Sequence, residues 1–262
     1  MLAHSRTGSG EPLLLIHGIT HRRQAWDTVT AALAKEHEVI AVDLPGHGES
    51  DDVAPDFDGS SAPLVEAVEG LVTDLGLPTP HVAGNSLGGL IALEMAARGT
   101  AVSATALSPA GFWSPVGQAY ARAVLGGASA LLRRWPRERL DRVLATGVGR
   151  AALLGALVAH PGRQDPAVMA DDLQGLAHPR EGFTTMLAAF DRWTVPQRSS
   201  VPTMVGWGSR DMLLPRAQIR RLRRALPDAR VVVLPGCGHV PMADDPELTA
   251  ELILGNARVA RA

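Results

Sequence analysis

The stretch Gly84-Asn85-Ser86-Leu87-Gly88 stands between two apolar runs, residues 80–83 before it and residues 89–93 after it. The first run is short enough for a strand and the second suits a helix, so the stretch predicts a sharp strand-to-helix turn. A serine at such a turn is held in strained backbone geometry, and the flanking glycines remove Cβ atoms that would clash there. The stretch therefore predicts a nucleophilic serine, Ser86, at the edge of a sheet.

Outward from this turn, strands and helices alternate along most of the chain. Apolar runs predict buried strands over residues 12–16, 38–42, 80–83, 102–107, 202–207 and 230–234. Helical spacing predicts helices over residues 24–35, 62–75, 87–98 and 215–225 and after residue 246. Because the connections are short, this alternation predicts the α/β class, with a mostly parallel, doubly wound sheet.

The alternation stops between residues 111 and 195, where the chain is rich in Ala, Leu and Arg and has no convincing strand. Glycines and prolines divide this segment into several short helical stretches. We therefore predict one α/β core, residues 1–110 and 196–262, with an all-helical cap (lid) inserted at residues 111–195. A chain of 262 residues is long enough for one core with such an elaboration.

Charge and composition exclude several classes of function. The formal net charge is −2, from 25 basic and 27 acidic residues, so no general field favours nucleic acid or an anionic membrane. Cys237 is the single cysteine, which excludes an intrachain disulfide and a multi-cysteine metal site. The start of the chain does not resemble a signal peptide, and no apolar run could span a bilayer. We expect a cytoplasmic protein with no stable membrane association, while its oligomeric state cannot be read from the sequence.

A serine nucleophile needs a base, and the base needs an acid to orient it. Among the 9 histidines, His239 is the best candidate, because it follows the strand that ends at Leu234. Asp211 similarly follows the strand that ends at Trp207. Both side chains are therefore expected at the carboxyl edge of a parallel sheet, where catalytic sites assemble. We predict a catalytic triad of Ser86, Asp211 and His239.

A tetrahedral oxyanion beside Ser86 would need two N–H donors. The backbone N–H of Leu87 is one natural donor, because it begins the helix after the nucleophile. The loop at residues 17–20 follows an early strand, and its Ile19 N–H is the expected second donor. Losing one such donor typically costs about 3 kcal/mol of transition-state stabilisation.

Five motifs together resemble the α/β-hydrolase fold proteins of the esterase and C–C hydrolase type. The motifs are His-Gly-Ile-Thr at 17–20, Asp-Leu-Pro-Gly-His-Gly-Glu-Ser at 43–50, Gly-Asn-Ser-Leu-Gly-Gly at 84–89, Gly-Ser-Arg-Asp at 208–211 and Gly-His at 238–239. The resemblance implies the triad, oxyanion hole and helical cap named above, with no metal or organic cofactor. Haloalkane dehalogenases and most epoxide hydrolases of this fold carry Asp at the nucleophile, so Ser86 argues against both. Val240 follows the histidine where the C–C hydrolases usually have tryptophan, which weakens that alternative.

Apolar side chains near the cap boundaries and catalytic loops are candidates to line a substrate pocket, although each alone is more often plain core. These candidates are Trp26, Phe112, Trp113, Trp193 and Met242. His17, Asp43 and His47 are interpreted as supports for the loops around the site. Arg22 and Arg23 could meet an anionic group of a substrate, but exposed residues at a helix start are the preferred interpretation.

The sequence thus predicts a serine hydrolase acting on a small-molecule substrate, a carboxylic ester with a small to medium apolar part. Hydrolysis of a thioester, lactone, amide or C–C bond, and cofactor-free perhydrolysis, stay open on the same triad. A different class of protein, a ligand receptor with a vestigial hydrolase site, also stays open.

Overall fold

A computed structural model describes residues 1–193, 195–196, 198–199 and 201–260. The predicted core and cap spans include residues 194, 197, 200, 261 and 262, which lie outside the described residues. The described part contains a seven-stranded sheet in the order β1-β3-β2-β4-β5-β6-β7. The strands are β1 (His4–Thr7), β2 (Glu11–Ile16), β3 (His37–Val42), β4 (His81–Asn85), β5 (Ser103–Leu107), β6 (Thr203–Gly208) and β7 (Arg230–Leu234).

All neighbouring strands of this sheet run parallel except β1, which pairs antiparallel with β3. The three neighbouring strands β4, β5 and β6 are buried along their whole length. Their sequences are continuous apolar or small-residue runs because helices cover both faces of the sheet. The mostly parallel α/β sheet predicted from the sequence is confirmed.

Helices make up most of the rest of the described chain. The α-helices are α1 (Asp27–Leu33), α2 (Ala62–Asp74), α3 (Leu87–Arg98), α4 (Pro115–Leu132), α5 (Arg137–Leu144), α6 (Gly147–Leu154), α7 (Pro166–Ala177), α8 (Glu181–Ala188), α9 (Ile219–Ala225), α10 (Pro241–Asp244) and α11 (Pro246–Val259). Short 3₁₀ helices occupy Arg23–Trp26, Pro161–Arg163, Phe190–Arg192 and Arg216–Gln218. One hydrophobic core joins the sheet to the helices.

The segment between β5 and β6 contains α4 to α8 and, within the described residues, no strand. Helix-capping side chains mark the beginnings of three of these helices. Ser114, Thr146 and Asp165 each accept a hydrogen bond from a backbone N–H in the first turn of the helix that follows. The division of the chain into core and cap stays a prediction, but the helical content expected for this segment is present.

One strand was not predicted from the sequence. Strand β1 is mostly exposed and polar, so it lacks the apolar signal that identifies the central strands. Its pairing with β3, with His4 opposite Val42, places it at the edge of the sheet. The described helices include none long and apolar enough to cross a membrane.

Candidate active site

Ser86 lies between β4 and α3 in a strained conformation. Its φ is 55° and its ψ is −113°, a region that non-glycine residues rarely occupy. Backbone hydrogen bonds hold it there: its N–H donates to Leu107 O at 2.9 Å, and its carbonyl accepts from the N–H groups of Leu90 and Ala110, both at 3.0 Å. The strain is therefore fixed by the strand and helix on either side of the turn.

The glycines around Ser86 are required by close backbone contacts. A Cβ atom on Gly84 would lie 2.0 Å from the carbonyl oxygen of Gly88. A Cβ on Gly88 would lie 2.1 Å from the carbonyl oxygen of Ile16. Neither position can carry a side chain without moving backbone, so the glycine spacing read in the sequence reflects the packing of α3 against β2 and β4.

Asp211 and His239 form a buried pair. His239 Nδ1 and Asp211 Oδ2 are 2.9 Å apart, and side-chain exposures are 3% and 0%. The other carboxylate oxygen of Asp211 accepts from the backbone N–H groups of Leu213 at 3.0 Å and Leu214 at 2.8 Å. A carboxylate only accepts, so Nδ1 carries the donated proton and the lone pair of the neutral ring lies on Nε2. This is the tautomer that a general base requires.

Asn85, the residue before Ser86, links the turn at Ser86 to the backbone of His239. Its fully buried side chain donates to the carbonyl oxygen of His239 at 2.8 Å and to that of Leu107 at 3.1 Å. The backbone N–H of His239 in turn donates to Leu157 O at 2.7 Å. The backbone of His239 is thus held from both sides, and Asn85 is a candidate positioning residue that the sequence did not reveal.

Hydrogen bonds hold the loop after β2, which carries the candidate donor Ile19. The carbonyl oxygen of Gly18 accepts from the N–H of His21 at 3.0 Å and from His17 Nδ1 at 2.8 Å. No described peptide bond is cis, and in a trans peptide the C=O and the following N–H point in opposite directions. Ile19 N–H therefore points away from both donors. Leu87 N–H, at the first position of α3, has no partner within its helix.

His17 and His47 brace this loop. The buried ring of His17 accepts from Leu44 N–H through Nε2 at 3.0 Å, while its Nδ1 donates to Gly18. Burial, reinforced by the neighbouring His47, holds the pKa of His17 well below its ordinary value, so the ring is neutral. His47 Nε2 lies 2.8 Å from Ile19 O and its Nδ1 lies 3.0 Å from Pro45 O. Burial also lowers the pKa of His47, and the neutral ring has one N–H to give to these two carbonyls.

The oxyanion loop and the nucleophile turn are in close contact. A Cβ atom built on Gly18 would lie 3.1 Å from the Cβ of Ser86 and 3.4 Å from the carbonyl oxygen of Asn85. Glycine is therefore the residue that allows the loop to lie against the turn at Ser86. The loop that carries the candidate donor Ile19 and the turn that carries the candidate nucleophile are in contact at Gly18.

Asp244 holds the loop that carries His239. One of its carboxylate oxygens accepts from Gly238 N–H at 2.7 Å and from Ala159 N–H at 2.9 Å, and the other accepts from His160 N–H at 2.8 Å. The carboxylate thus links the loop to the helical segment between β5 and β6. Its neighbour Asp245 caps α11 by accepting from Leu248 N–H at 3.0 Å.

A cavity of about 340 Å³ lies beside the oxyanion loop. Its wall is mostly apolar and comes largely from the helical segment between β5 and β6. Thr20, His21 and Val240, the residue after His239, also line it. The apolar lining residues include Leu154, Leu157, Val158, Met169, Leu173 and Leu176. Ser86 is not among the described residues that line this cavity, and only 7% of it is exposed.

Two titratable groups border this cavity. Burial lowers the pKa of His21 to about 4, with the nearby rings of His239 and His47 adding to the effect. Burial raises the pKa of Asp172 to about 6, although Arg22, with Nε 3.5 Å from its Oδ1, opposes the change. At neutral pH the wall therefore holds a neutral imidazole and an Asp172–Arg22 ion pair.

The five predicted pocket residues are all buried or packed against the core. Trp26 and Met242 are fully buried, and Phe112 is nearly so. Trp113, Trp193 and Phe190 form an aromatic cluster with ring centroids 4.6 to 5.6 Å apart. Of the described residues that line the cavity above, none is one of the five. Their assignment to a substrate pocket stays a prediction.

The two arginines after the oxyanion loop are engaged within the protein. Arg23 pairs with the buried Asp43 and, at 2.6 Å, with Glu49. Arg22 lies 3.4 Å from Asp171 in α7 and also near Asp172. Both arginines are thus partly buried and paired within the protein, where exposed residues at a helix start were expected, while the contacts of Asp43 agree with its expected supporting role.

Comparison with known proteins finds several that this chain resembles. A Pimeloyl-(acyl-carrier protein) methyl ester esterase of Aeromonas hydrophila is 28% identical over 256 residues, covering 95% of this chain and 96% of that protein. An epoxide hydrolase of Mycobacterium tuberculosis is 32% identical over 210 residues, covering 74% of this chain and 93% of that protein. The solved structure of an esterase from Thermogutta terrifontis has a TM-score of 0.78 at 24% identity, covers 100% of this chain and 94% of that one, and shows the same fold.

The sequence model of the alpha/beta hydrolase family matches residues 13–252, which include every candidate catalytic and oxyanion residue named above. The fold expected from the five motifs is confirmed by these likenesses. The chain belongs to the alpha/beta hydrolase family.

Proposed function

We propose that this protein is a serine hydrolase that cleaves a carboxylic ester of a small to medium, largely apolar molecule through an acyl-enzyme. The observation that carries the proposal is the buried Asp211–His239 pair, tied through Asn85 to the strained turn at Ser86. An acid, a base in the correct tautomer and an alcohol nucleophile are the groups that acyl transfer requires.

In the proposed first step, Ser86 Oγ attacks the carbonyl carbon of the ester as its proton passes to His239 Nε2. The carbonyl π electrons move onto oxygen, and the N–H groups of Ile19 and Leu87 stabilise that oxyanion. The tetrahedral intermediate then collapses, the C–O bond to the alcohol breaks, and His239 gives its proton to the departing oxygen. Asp211 stays ionised and stabilises the imidazolium between the two transfers.

In the second step, water takes the place of the alcohol. His239 removes a proton from water, which attacks the acyl-enzyme carbonyl, and the same two N–H groups stabilise the second oxyanion. Collapse returns the proton to Ser86 Oγ and releases the carboxylic acid. Every proton is carried by His239, so the chemistry needs no group beyond those of the chain.

The similarity to an epoxide hydrolase suggests epoxide hydrolysis as a second reaction, but a serine nucleophile such as Ser86 disfavours it. Attack of a carboxylate on an epoxide gives an ester, which water can hydrolyse. Attack of Ser86 would give an ether, which has no carbonyl for water to attack and would block the enzyme. An acyl substrate is therefore the one that this nucleophile can turn over.

The shape of the cavity supports an apolar substrate of modest size. A volume of about 340 Å³ is at the lower end of small-molecule pockets. Its wall is largely aliphatic, and its polar groups, among them Thr20 and His21, adjoin the oxyanion loop. A small ester with a short aliphatic acyl or alcohol chain suits these dimensions.

The test is turnover of p-nitrophenyl acetate and butyrate by the wild type, Ser86→Ala and Asp211→Asn. Alanine keeps the Cβ atom at the strained turn, so Ser86→Ala should fold normally and lose turnover and fluorophosphonate labelling at residue 86. Asp211→Asn should lower kcat by about 10³ to 10⁴, because the amide no longer selects the productive tautomer. Asp228→Asn, at an exposed aspartate, is the matched control and should retain wild-type turnover.

Failure of the wild type to hydrolyse either ester, together with no labelling of Ser86, would reject the enzyme and favour a ligand receptor. An acylation rate unchanged in Asp211→Asn would show that another carboxylate orients His239. Turnover of thioesters, lactones, amides or C–C substrates ahead of esters of graded chain length would keep the triad and change the substrate class.

A further inference from the structure

Three metal-ligating side chains lie together at the amino-terminal edge of the sheet, opposite the edge that carries Ser86. They are Glu11, His37 and His81, the first residues of β2, β3 and β4. These strands are neighbours in the order β3-β2-β4, and Glu11 stands opposite His37 in the parallel register. The proposed hydrolysis uses none of the three.

The donor atoms of this cluster are spaced as a metal ion would need them. One ligand atom from each residue lies within 4.8 Å of the other two. His81 Nε2 and Glu11 Oε2 are 3.3 Å apart. Two ligands bound at the usual zinc distances of about 2.0 to 2.1 Å in tetrahedral geometry are themselves separated by about 3.3 Å. His81 and Glu11 already have that separation, and the third ligand, His37, needs a modest side-chain adjustment.

In both imidazoles, Nδ1 makes a hydrogen bond of the kind that supports metal binding by Nε2. His37 Nδ1 lies 3.1 Å from the carbonyl oxygen of Glu11, which can only accept, so Nδ1 carries the proton and Nε2 the lone pair. His81 Nδ1 lies 2.8 Å from Ser103 Oγ, a hydroxyl that can accept in the same way. Hydrogen bonds to the second ring nitrogen commonly fix the orientation and tautomer of metal-binding histidines.

Rigidity and access also fit a binding site. The two imidazoles are buried and lie at the beginnings of strands, with ring centroids 5.1 Å apart and planes at 80°. The side chain of Glu11 is 56% exposed, so the cluster opens to solvent on its side. Solvent can therefore deliver an ion and supply a fourth ligand.

We propose that Glu11, His37 and His81 form a site for one Zn²⁺ ion, with water as the fourth ligand. Imidazole nitrogen with a single carboxylate favours zinc over Mg²⁺ and Ca²⁺, which prefer sets of oxygen ligands. The ion would join the beginnings of three adjacent strands at the edge opposite the catalytic loops. Its effect is on stability, and ester turnover does not depend on it.

The test uses the full-length protein freed of metal and titrated with ZnCl₂ by calorimetry, with the bound metal counted by mass spectrometry. We expect one ion per chain with a micromolar or lower Kd. At a hundredfold excess of zinc over its Kd, the Tm should rise by about 5 to 10 °C. Co²⁺ at the same site should show the visible absorption of a four-coordinate ion, and Mg²⁺ should not compete.

Variants separate this site from other histidines. Glu11→Gln removes an exposed carboxylate, should fold normally, and should weaken zinc binding by about tenfold or more. His37→Gln and His81→Gln should abolish binding. His4→Gln is the matched control, because it removes an imidazole from β1 of the same sheet and should leave binding unchanged. Absence of stoichiometric zinc would overturn the proposal, as would wild-type affinity in Glu11→Gln.

Discussion

Asn85 donates its side-chain N–H to the carbonyl oxygen of His239 at 2.8 Å, so the residue before the nucleophile holds the backbone of the base. Asn85→Ala removes this bond and leaves a buried carbonyl without that donor. We expect kcat to fall by about tenfold to a hundredfold, because a small misplacement of the base is costly. The free energy of unfolding should fall by about 1 to 3 kcal/mol.

Asn256→Ala is the matched control for this change. Asn256 is also buried and donates to Ala104 O at 2.9 Å and Thr105 Oγ1 at 3.1 Å, at the other end of β5. It should cost comparable stability and leave the kcat of the folded protein unchanged. Equal losses of kcat in both variants would show that Asn85 acts only through stability.

His47→Ala should loosen the oxyanion loop. The ring contact to Ile19 O at 2.8 Å disappears, so the loop that carries Ile19 loses one of the contacts that hold it in place. We expect kcat to fall by about tenfold with a smaller change in KM, since the loss is greatest for the developing oxyanion. His4→Ala, at the sheet edge, should leave both constants unchanged. A change in KM alone would instead assign His47 to substrate binding.

Gly18→Ala should impair catalysis through a single added methyl group. That carbon would lie 3.1 Å from the Cβ of Ser86, closer than ordinary packing allows, so the loop must move by a few tenths of an ångström. We expect kcat/KM to fall by about tenfold and stability by about 1 to 2 kcal/mol. Gly127→Ala, in α4 with no atom within 4 Å of the added carbon, should leave activity unchanged and increase stability slightly. Wild-type kinetics in Gly18→Ala would mean that Ile19 does not contribute to the oxyanion hole.

Asp172 should contribute less stability as the pH rises, the reverse of the usual effect of a carboxylate in a folded protein. Its pKa is raised from 3.8 to about 6 by burial, so between these values the folded protein binds more protons than the unfolded chain. Its contribution to stability therefore falls as the pH rises from about 4 to about 6. Relative to wild type, Asp172→Asn should gain about 2 to 3 kcal/mol of unfolding free energy across that window.

Urea unfolding of wild type and Asp172→Asn at pH 4 and pH 7 measures this change. Subtracting the two free energies of unfolding at each pH removes the contribution of His21, which both proteins share. Asp171→Asn is the matched control, because its pKa is lowered, chiefly by Arg137. Its stability relative to wild type should change little between pH 4 and pH 7, because a lowered pKa affects stability only as the pH falls below about 4. A pH-independent difference between Asp172→Asn and wild type would contradict the raised pKa.

The sequence predicted the sheet because its central strands are apolar on both faces, and it predicted the turn at Ser86 because glycine spacing reflects backbone contact. Strand β1 was missed, since His4–Thr7 carries no apolar pattern. The bonds from Asn85 to His239 and from Ala159 to Asp244 could not be predicted, because the partners lie 154 and 85 residues apart and depend on how loops meet in space. The cavity depends in the same way on the packing of the helical segment against the oxyanion loop.

The helical segment between β5 and β6 is a crossover connection between two adjacent parallel strands, and such a connection has a minimum length but no fixed maximum. Doubling the length of a flexible connection adds only about 0.6 kcal/mol of closure entropy. Helices can therefore be lengthened, lost or exchanged between Leu107 and Thr203 while the register of the two strands is unchanged. Since this connection supplies much of the cavity wall, substrate range can diverge among relatives that keep one sheet and one set of reactive groups.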